Sequence, residues 1–152
     1  MNFIPILVSA CLLGIPCRYN GEEKANKLVL KLCEQHTLIP VCPEQLGGLP
    51  TPREPSERKG DRVVSRTGAD VTAEFERGAK ETLRIAKLCG CSCAIMKSKS
   101  PSCGCGKVYD GSFTGKLIPG NGAAAQKLMD HDILVVTEDE IADLPLPADK
   151  TK

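Results

Sequence analysis

The 152-residue sequence predicts an α/β fold: a single domain built on a mainly parallel four-stranded sheet flanked by helices, a Rossmann-like three-layer arrangement. Three observations carry that expectation. Short aliphatic runs of strand length alternate with stretches of helical periodicity. The connections between runs are long enough for crossover helices, which parallel pairing requires. Apolar residues make up 41% of the chain and charged residues 26%, while aromatics are only 3%, so the core must be aliphatic.

The first strand is expected near 4–10, ending at Ala10-Cys11, followed by a polar stretch with the Asn20-Gly21 turn signal. A helix over 24–35 then carries Leu28, Leu32 and Gln35 on one stripe, with Val29 and Cys33 beside it, so Cys33 is expected in the core. Leu38-Ile39-Pro40-Val41-Cys42 reads as a second strand, and Pro40 favours an edge position or a strand start. The segment 43–68, rich in proline and opposite charges, reads as a long irregular loop, expected to be a functional lid. The clearest helix follows, with Asp70 or Thr72 as its cap, Phe75, Ala79, Leu83 and Ala86 as its inner stripe, and Gly90 at its end.

Cys93-Ala94-Ile95-Met96 is the third strand and runs into a loop of small polar residues, 97–106. Asn121 is expected to cap a helix over 122–130, and Ile133-Leu134-Val135-Val136 forms the fourth strand. Thr137 with Glu140 makes a capping box for a terminal helix. The organisation expected is one α/β domain over 1–145 and a frayed tail over 146–152.

The net charge of +1 leaves no electrostatic footprint for nucleic acid or anionic lipid, so neither is an expected partner. No apolar run approaches the ~20 residues of a membrane span. The apolar start lacks a positively charged leader and reads better as a buried strand, so the expected location is cytoplasmic, as a monomer or weak homodimer.

Nine cysteines are the anomaly. An odd count in a chain of this size argues against a disulfide framework and leaves metal binding, catalysis or core filling. In an open parallel sheet ligands bind beyond the carboxyl ends of the strands. Cys11, Cys42 and Cys103 fall at the ends of the first, second and third strands, so the fold brings them to one rim. With nine cysteines chance alone could place three there, so the coincidence is suggestive only. No C-x-x-C pair exists, which disfavours zinc ribbons and thioredoxin-type motifs and suits an iron–sulfur cluster better. Three ligands on a [4Fe–4S] cluster would leave one iron open, the mark of a catalytic site. Glu44 projects close by as a candidate general base, or is an ordinary surface carboxylate. Ser100 and Ser102 flank Pro101 as proton-relay or turn-forming residues.

Three segments carry a resemblance: 8–14 with Cys17-Arg18-Tyr19-Asn20-Gly21, 41–53, and 97–104 with Tyr109-Asp110-Gly111. They resemble the thiouracil desulfidase (TudS-like) family over roughly residues 4–145. The resemblance implies a [4Fe–4S] cluster on Cys11, Cys42 and Cys103, a fourth iron free for a substrate's sulfur, and Glu44 and Ser100 as the acid/base pair. It leaves Cys17 as a reserve ligand or pocket thiol, and Asn20 departs from the family's usual Asp. Cys89, Cys91, Cys93 and Cys105 lie outside the pattern and are assigned to packing or spare thiol chemistry. The implied substrate is a small thiolated nucleobase-like compound, converted to a carbonyl product and sulfide without net redox change. Arg18, Arg53, Lys97 and Ser102 are candidates for contacting it, although long surface cations such as the first three are more often merely solvated. A non-enzymatic metal- or cluster-binding module and a metal-free sulfur carrier are the rival readings.

Overall fold

Aliphatic pairs and triplets, too short for helices, become the strands of one central sheet in the computed structural model, which describes residues 3–144. In chain order the elements are β1 (Pro5–Ser9), α1 (Lys27–Lys31), β2 (Thr37–Val41), α2 (Pro43–Leu46), β3 (Ser56–Lys59), β4 (Arg62–Ser65) and α3 (Thr72–Leu88). They continue as β5 (Cys93–Met96), β6 (Lys107–Tyr109), β7 (Leu117–Pro119), α4 (Ala123–Met129) and β8 (Leu134–Thr137). The sheet order is β2-β1-β5-β8 and every pairing is parallel. Two antiparallel hairpins, β3–β4 and β6–β7, stand apart from it. The four expected sheet strands are all present, and Pro40 lies on the edge strand β2, where its missing N–H costs no ladder bond.

The order reverses at β1: the chain steps one way to β2, then back across to β5 and on to β8. Right-handed crossovers then put α1 on one face and α3 and α4 on the other. The buried side chains follow suit. Leu7, Ala94, Met96 and Val135 pack with Ala79, Leu83, Ala86 and Leu128 from α3 and α4. Ile6, Val8, Ile95 and Val136 pack with Val29 of α1 and Leu12 on the opposite face. This reversal leaves a crevice beyond the ends of β1 and β5, the place where open α/β sheets bind ligands.

Several expectations need correction. The helix expected over 24–35 is α-helical only over Lys27–Lys31, followed by a 3-10 turn. Asn26 explains the late start, because its side chain accepts from the N–H groups of Leu28 and Val29 and caps the helix there. On α1 only Val29 is buried; Leu28 is 67% exposed. Burial of one Val contributes ~1.5–3 kcal/mol, so α1 hangs on a single anchor. Cys33 is exposed, with its thiol donating to Leu30 O, and is no core residue.

The segment 43–68 is not an irregular lid but holds α2 and the hairpin β3–β4, whose turn uses Gly60 at φ +64°. The expected Asn121 cap fails as well. The first N–H groups of α4 bond instead to the carbonyls of Pro101 and Ser102, and Asn121 accepts from Gly106 N and donates to Gln126. That helix end is therefore spent on holding the loop of Cys103. The Thr137–Glu140 box forms, but only a 3-10 turn, Ile141–Asp143, follows it. The tail expected to fray lies outside the described residues.

Candidate active site

Each strand end delivers one cysteine. After β1 a 3-10 turn, Ala10–Leu13, carries Cys11; Cys42 directly follows β2 and starts α2; the loop after β5 carries Cys103. Parallel register sets Ser9 beside Val41 and Val8 beside Ile95, so the three ends lie at one level. All three cysteines line a single cavity of about 530 Å³, together with Cys17, Glu44, Ser100 and Ser102. Its size falls within the ~300–1,000 Å³ range of small-molecule sites.

Cys17 sits between two of the others. Its thiol is within hydrogen-bonding reach of both Cys11 and Cys42, and its carbonyl accepts from the Cys42 thiol at 3.7 Å. The bond to Cys11 raises the Cys17 pKa while that to Cys42 opposes the rise. The Cys17 thiol, and then burial, push Cys42 up strongly. Burial pushes the Cys103 thiol up to about 12, against the hydroxyls of Ser9 and Ser102, which favour the thiolate. Crowded, buried thiols of this kind keep their protons until a bound cation takes their place and releases them to solvent.

Glu44 is held from two sides. The Arg53 guanidinium donates through Nε to Oε1 at 2.8 Å, and the Ser102 hydroxyl donates to Oε2 at 3.1 Å. Ser100 Oγ lies 3.0 Å from Ser102 Oγ. The one Ser102 proton has two acceptors, Glu44 Oε2 and Cys103 Sγ at 3.6 Å; when it goes to Glu44, Ser100 donates to Ser102. The result is a relay, Ser100 to Ser102 to Glu44. Ser100 itself is fixed by the N–H groups of Ser102 and Cys103, which donate to its Oγ at 3.1 and 3.0 Å. Ser102 is 2% exposed, so its hydroxyl is a link in this chain.

Arg53 does more than pair with a carboxylate. Its Nη2 donates to Cys17 O at 2.9 Å and its Nη1 to Pro50 O and Thr51 Oγ1, with the side chain only 6% exposed. It therefore ties Glu44 to the Cys17 loop. Lys97 lines the cavity but pairs with Glu138 at 3.0 Å, and Arg18 stands at the mouth against the Tyr19 ring, 5.8 Å from its centroid.

Two close backbone approaches set the scaffold. A Cβ on Gly78 of α3 would lie 1.9 Å from Pro43 O, and one on Gly122 would lie 2.4 Å from the Ser102 carbonyl carbon. Bare glycine lets α2 press on α3 and the Cys103 loop press on α4.

The matching family model is described as 2-thiouracil desulfurase and covers residues 6–140. The chain belongs to the 2-thiouracil desulfurase family. Consistent with that membership, it is 42% identical to the uncharacterized protein YbbK of Bacillus subtilis (strain 168), over 91% of this chain and 99% of that one. It is also similar to a solved structure, a [4Fe-4S]-dependent thiouracil desulfidase TudS, with 43% identity, a TM-score of 0.86, and coverage of 93% of this chain and 95% of that one.

The donor set of this desulfurase-family site is soft sulfur, which suits iron–sulfur chemistry. Among the described residues no three His, Cys, Asp or Glu side chains converge to hold one metal ion. The ligands of a cubane instead each bind their own iron. Of the remaining cysteines, Cys91 and Cys93 are buried in the two cores, Cys105 is half-buried with its thiol on Val135 O, and Cys33 and Cys89 are exposed.

Sequence reasoning passed over three residues that shape the site. Ser9 accepts from Lys97 N at 2.8 Å and donates toward Met96 Sδ at 3.7 Å, bridging β1 to β5 at the crevice. A serine ending the strand at the point of reversal was the available signal. Glu138 clasps Ser98 through its N–H and hydroxyl at 2.8 and 2.9 Å. Glu57, on β3, reaches the cavity from a hairpin that carries no hydrophobic alternation and so left no trace in the pattern.

Proposed function

We propose that this protein removes sulfur from a thiouracil-type heterocycle, leaving a carbonyl product and sulfide, at a [4Fe–4S] cluster held by Cys11, Cys42 and Cys103. The observation that carries the reading is the sharing of one cavity by these thiols and the Ser100–Ser102–Glu44 relay. Held by these three cysteines, the cluster would supply a soft Lewis acid with an affinity for thiocarbonyl sulfur.

The chain's own residues then handle water and protons. Glu44, which lines the cavity, takes a proton from water as that water attacks the thiocarbonyl carbon. Ser102 passes protons between Glu44 and Ser100, and Ser100 exchanges one with the heterocycle. Water adds to C=S, the C–S bond breaks, and C=O and hydrogen sulfide result, so no oxidant or reductant is consumed. Arg53 holds Glu44 in place, and Cys17 packs between Cys11 and Cys42. Lys97 and Arg18 line the approach.

No described helix is long and apolar enough to cross a membrane. A reducing cytoplasm, a monomeric or weakly dimeric state and a small-molecule partner without nucleic acid or membrane fit nine free cysteines and a near-neutral charge.

The test is sulfide release from 2-thiouracil by protein reconstituted anaerobically with iron and sulfide. Glu44→Ala should abolish release while keeping full iron and the visible absorbance of the cluster. Fully loaded protein that frees no sulfide from any thioamide would overturn the proposal.

A further inference from the structure

Two Tyr and three Phe are all the aromatic residues of this chain, and Tyr19, Tyr109 and Phe113 line the one cavity that holds the thiols. An aliphatic protein that concentrates its few flat rings at one site has built a surface for another flat ring. Phe113 is held there by unusual means. Its φ is +58°, a left-handed conformation that a bulky residue adopts only where its surroundings impose it.

Glu57 imposes it. This carboxylate, only 9% exposed, accepts at Oε1 from Gly111 N at 3.0 Å and from Phe113 N at 3.1 Å. Gly111 sits so close to the β3–β4 hairpin that an added Cβ would lie 2.8 Å from Arg58 O, which seats the loop against β3. The Arg66 guanidinium backs the ring at 5.8 Å from its centroid.

The other carboxylate oxygen, Glu57 Oε2, accepts from no donor among the described residues, yet Glu57 lines the cavity. No buried side-chain oxygen among the described residues lacks a partner, so Glu57 Oε2 is open to solvent, and a ligand donor in the cavity that Glu57 lines can take the place of water there. Carboxylates accept and cannot donate when ionised, so the matching group is a ring N–H.

We infer that Glu57 and Phe113 form the ring-recognition subsite: Phe113 covers the face of the heterocycle while Glu57 Oε2 accepts a ring N–H. The inference rests on the desulfidase reading and adds the residues that select its substrate. It assigns preference to N–H-bearing planar heterocycles over N-alkylated ones and over open-chain thioamides. Glu57 is a binding residue here, and its first oxygen positions Phe113.

The substitution Glu57→Gln separates the two tasks. The amide oxygen can keep both loop bonds, whereas the amide nitrogen facing the cavity donates and cannot accept. With holoprotein and 2-thiouracil, Glu57→Gln should raise KM by about tenfold to a hundredfold at nearly constant kcat, the worth of a hydrogen bond to a charged group. Phe113→Ala should raise KM about tenfold, with Phe113→Leu intermediate. An N-methylated thiouracil that loses the donor should bind poorly to the parent protein and be indifferent to Glu57→Gln.

The absence of Trp from the chain supplies a second readout. In Phe113→Trp holoprotein, titration with uracil, which has no sulfur to lose, should change the indole emission saturably. The same titration of Leu88→Trp, at a 78% exposed position on α3, should change nothing. Unchanged KM in both Glu57→Gln and Phe113→Ala, with normal sulfide release, would overturn the subsite and leave the desulfidase reading standing. No sulfide release from the parent protein would overturn that reading instead, and the uracil titration then decides the subsite alone: a saturable change supports it, a flat response refutes it.

Discussion

The replacement Gly78→Ala tests whether the backbone contact between α2 and α3 positions the chemistry. The new methyl would lie 1.9 Å from Pro43 O, and restoring 3.4 Å of ordinary contact means α2 must retreat by about 1.5 Å. Cys42 is the N-cap of α2 and Glu44 lies within it, so the proposed ligand and the proposed base shift together. Two effects compete in stability: overpacking costs ~1–3 kcal/mol, and replacing Gly by Ala inside a helix returns ~1 kcal/mol. The net loss is therefore about 0–2 kcal/mol, a small shift in Tm. Activity has no such offset. A misplacement of ~1 Å can cost ~100-fold in rate, so kcat should fall at least that far. The assay is anaerobic sulfide release alongside thermal unfolding, with exposed Lys80→Ala on the same helix as the control. A Gly78→Ala protein with parental kcat would refute the argument, since the contact would then yield without moving Glu44.

The other predictions concern charges and thiols. Arg53→Lys keeps the charge but loses the fork that joins Glu44, Cys17 O and Pro50 O; it should cut kcat by ~10–100-fold with little change in KM, and full activity in Arg53→Lys would reduce Arg53 to a point charge. Burial pushes Cys91 up to about 11, so at pH 8 roughly one molecule in a thousand carries its thiolate. Mass-mapped alkylation at pH 8 should therefore mark exposed Cys33 and Cys89 and spare Cys91 until the protein unfolds. Burial raises the Glu138 pKa, but N–H donors from its own backbone and Ser98, with the Lys97 charge, outweigh it and leave the group below the usual carboxylate value. A depressed carboxylate stabilises fully above its unfolded pKa of ~4.3 and loses that contribution as pH falls through the folded value. Glu138→Gln should thus lower Tm at pH 7, by the ~1–3 kcal/mol of a charged hydrogen-bond cluster, and the gap should close below about pH 4; a gap constant from pH 7 to pH 3 would contradict this.

The sheet was legible because its strands are nearly pure aliphatic runs, and a run such as Cys93-Ala94-Ile95-Met96 buries on both faces in a parallel sheet. The cysteines became legible through it: Cys11, Cys42 and Cys103 are distant in sequence, and only strand ends bring them together. What stayed hidden depended on contacts between elements. The β3–β4 hairpin alternates in burial only through Glu57, Val63 and Ser65, so no apolar period marks it. Asn121 has the right chemistry for a cap, but the carbonyls of Pro101 and Ser102 reach the helix end first. On α1 the leucines have helical spacing, yet only Val29 finds a partner face. The link of Arg53 to Glu44 and the hold of Glu57 on Phe113 cross between loops, where sequence spacing carries no signal.

The central claim is that three strand-end thiols hold a catalytic [4Fe–4S] cluster. Iron content, acid-labile sulfide and sulfide release from 2-thiouracil should be measured on anaerobically reconstituted Cys11→Ser, Cys42→Ser, Cys103→Ser and Cys17→Ser. The first three should lose cluster iron and activity together, while Cys17→Ser should retain iron. Full iron and full sulfide release in Cys103→Ser would contradict the claim.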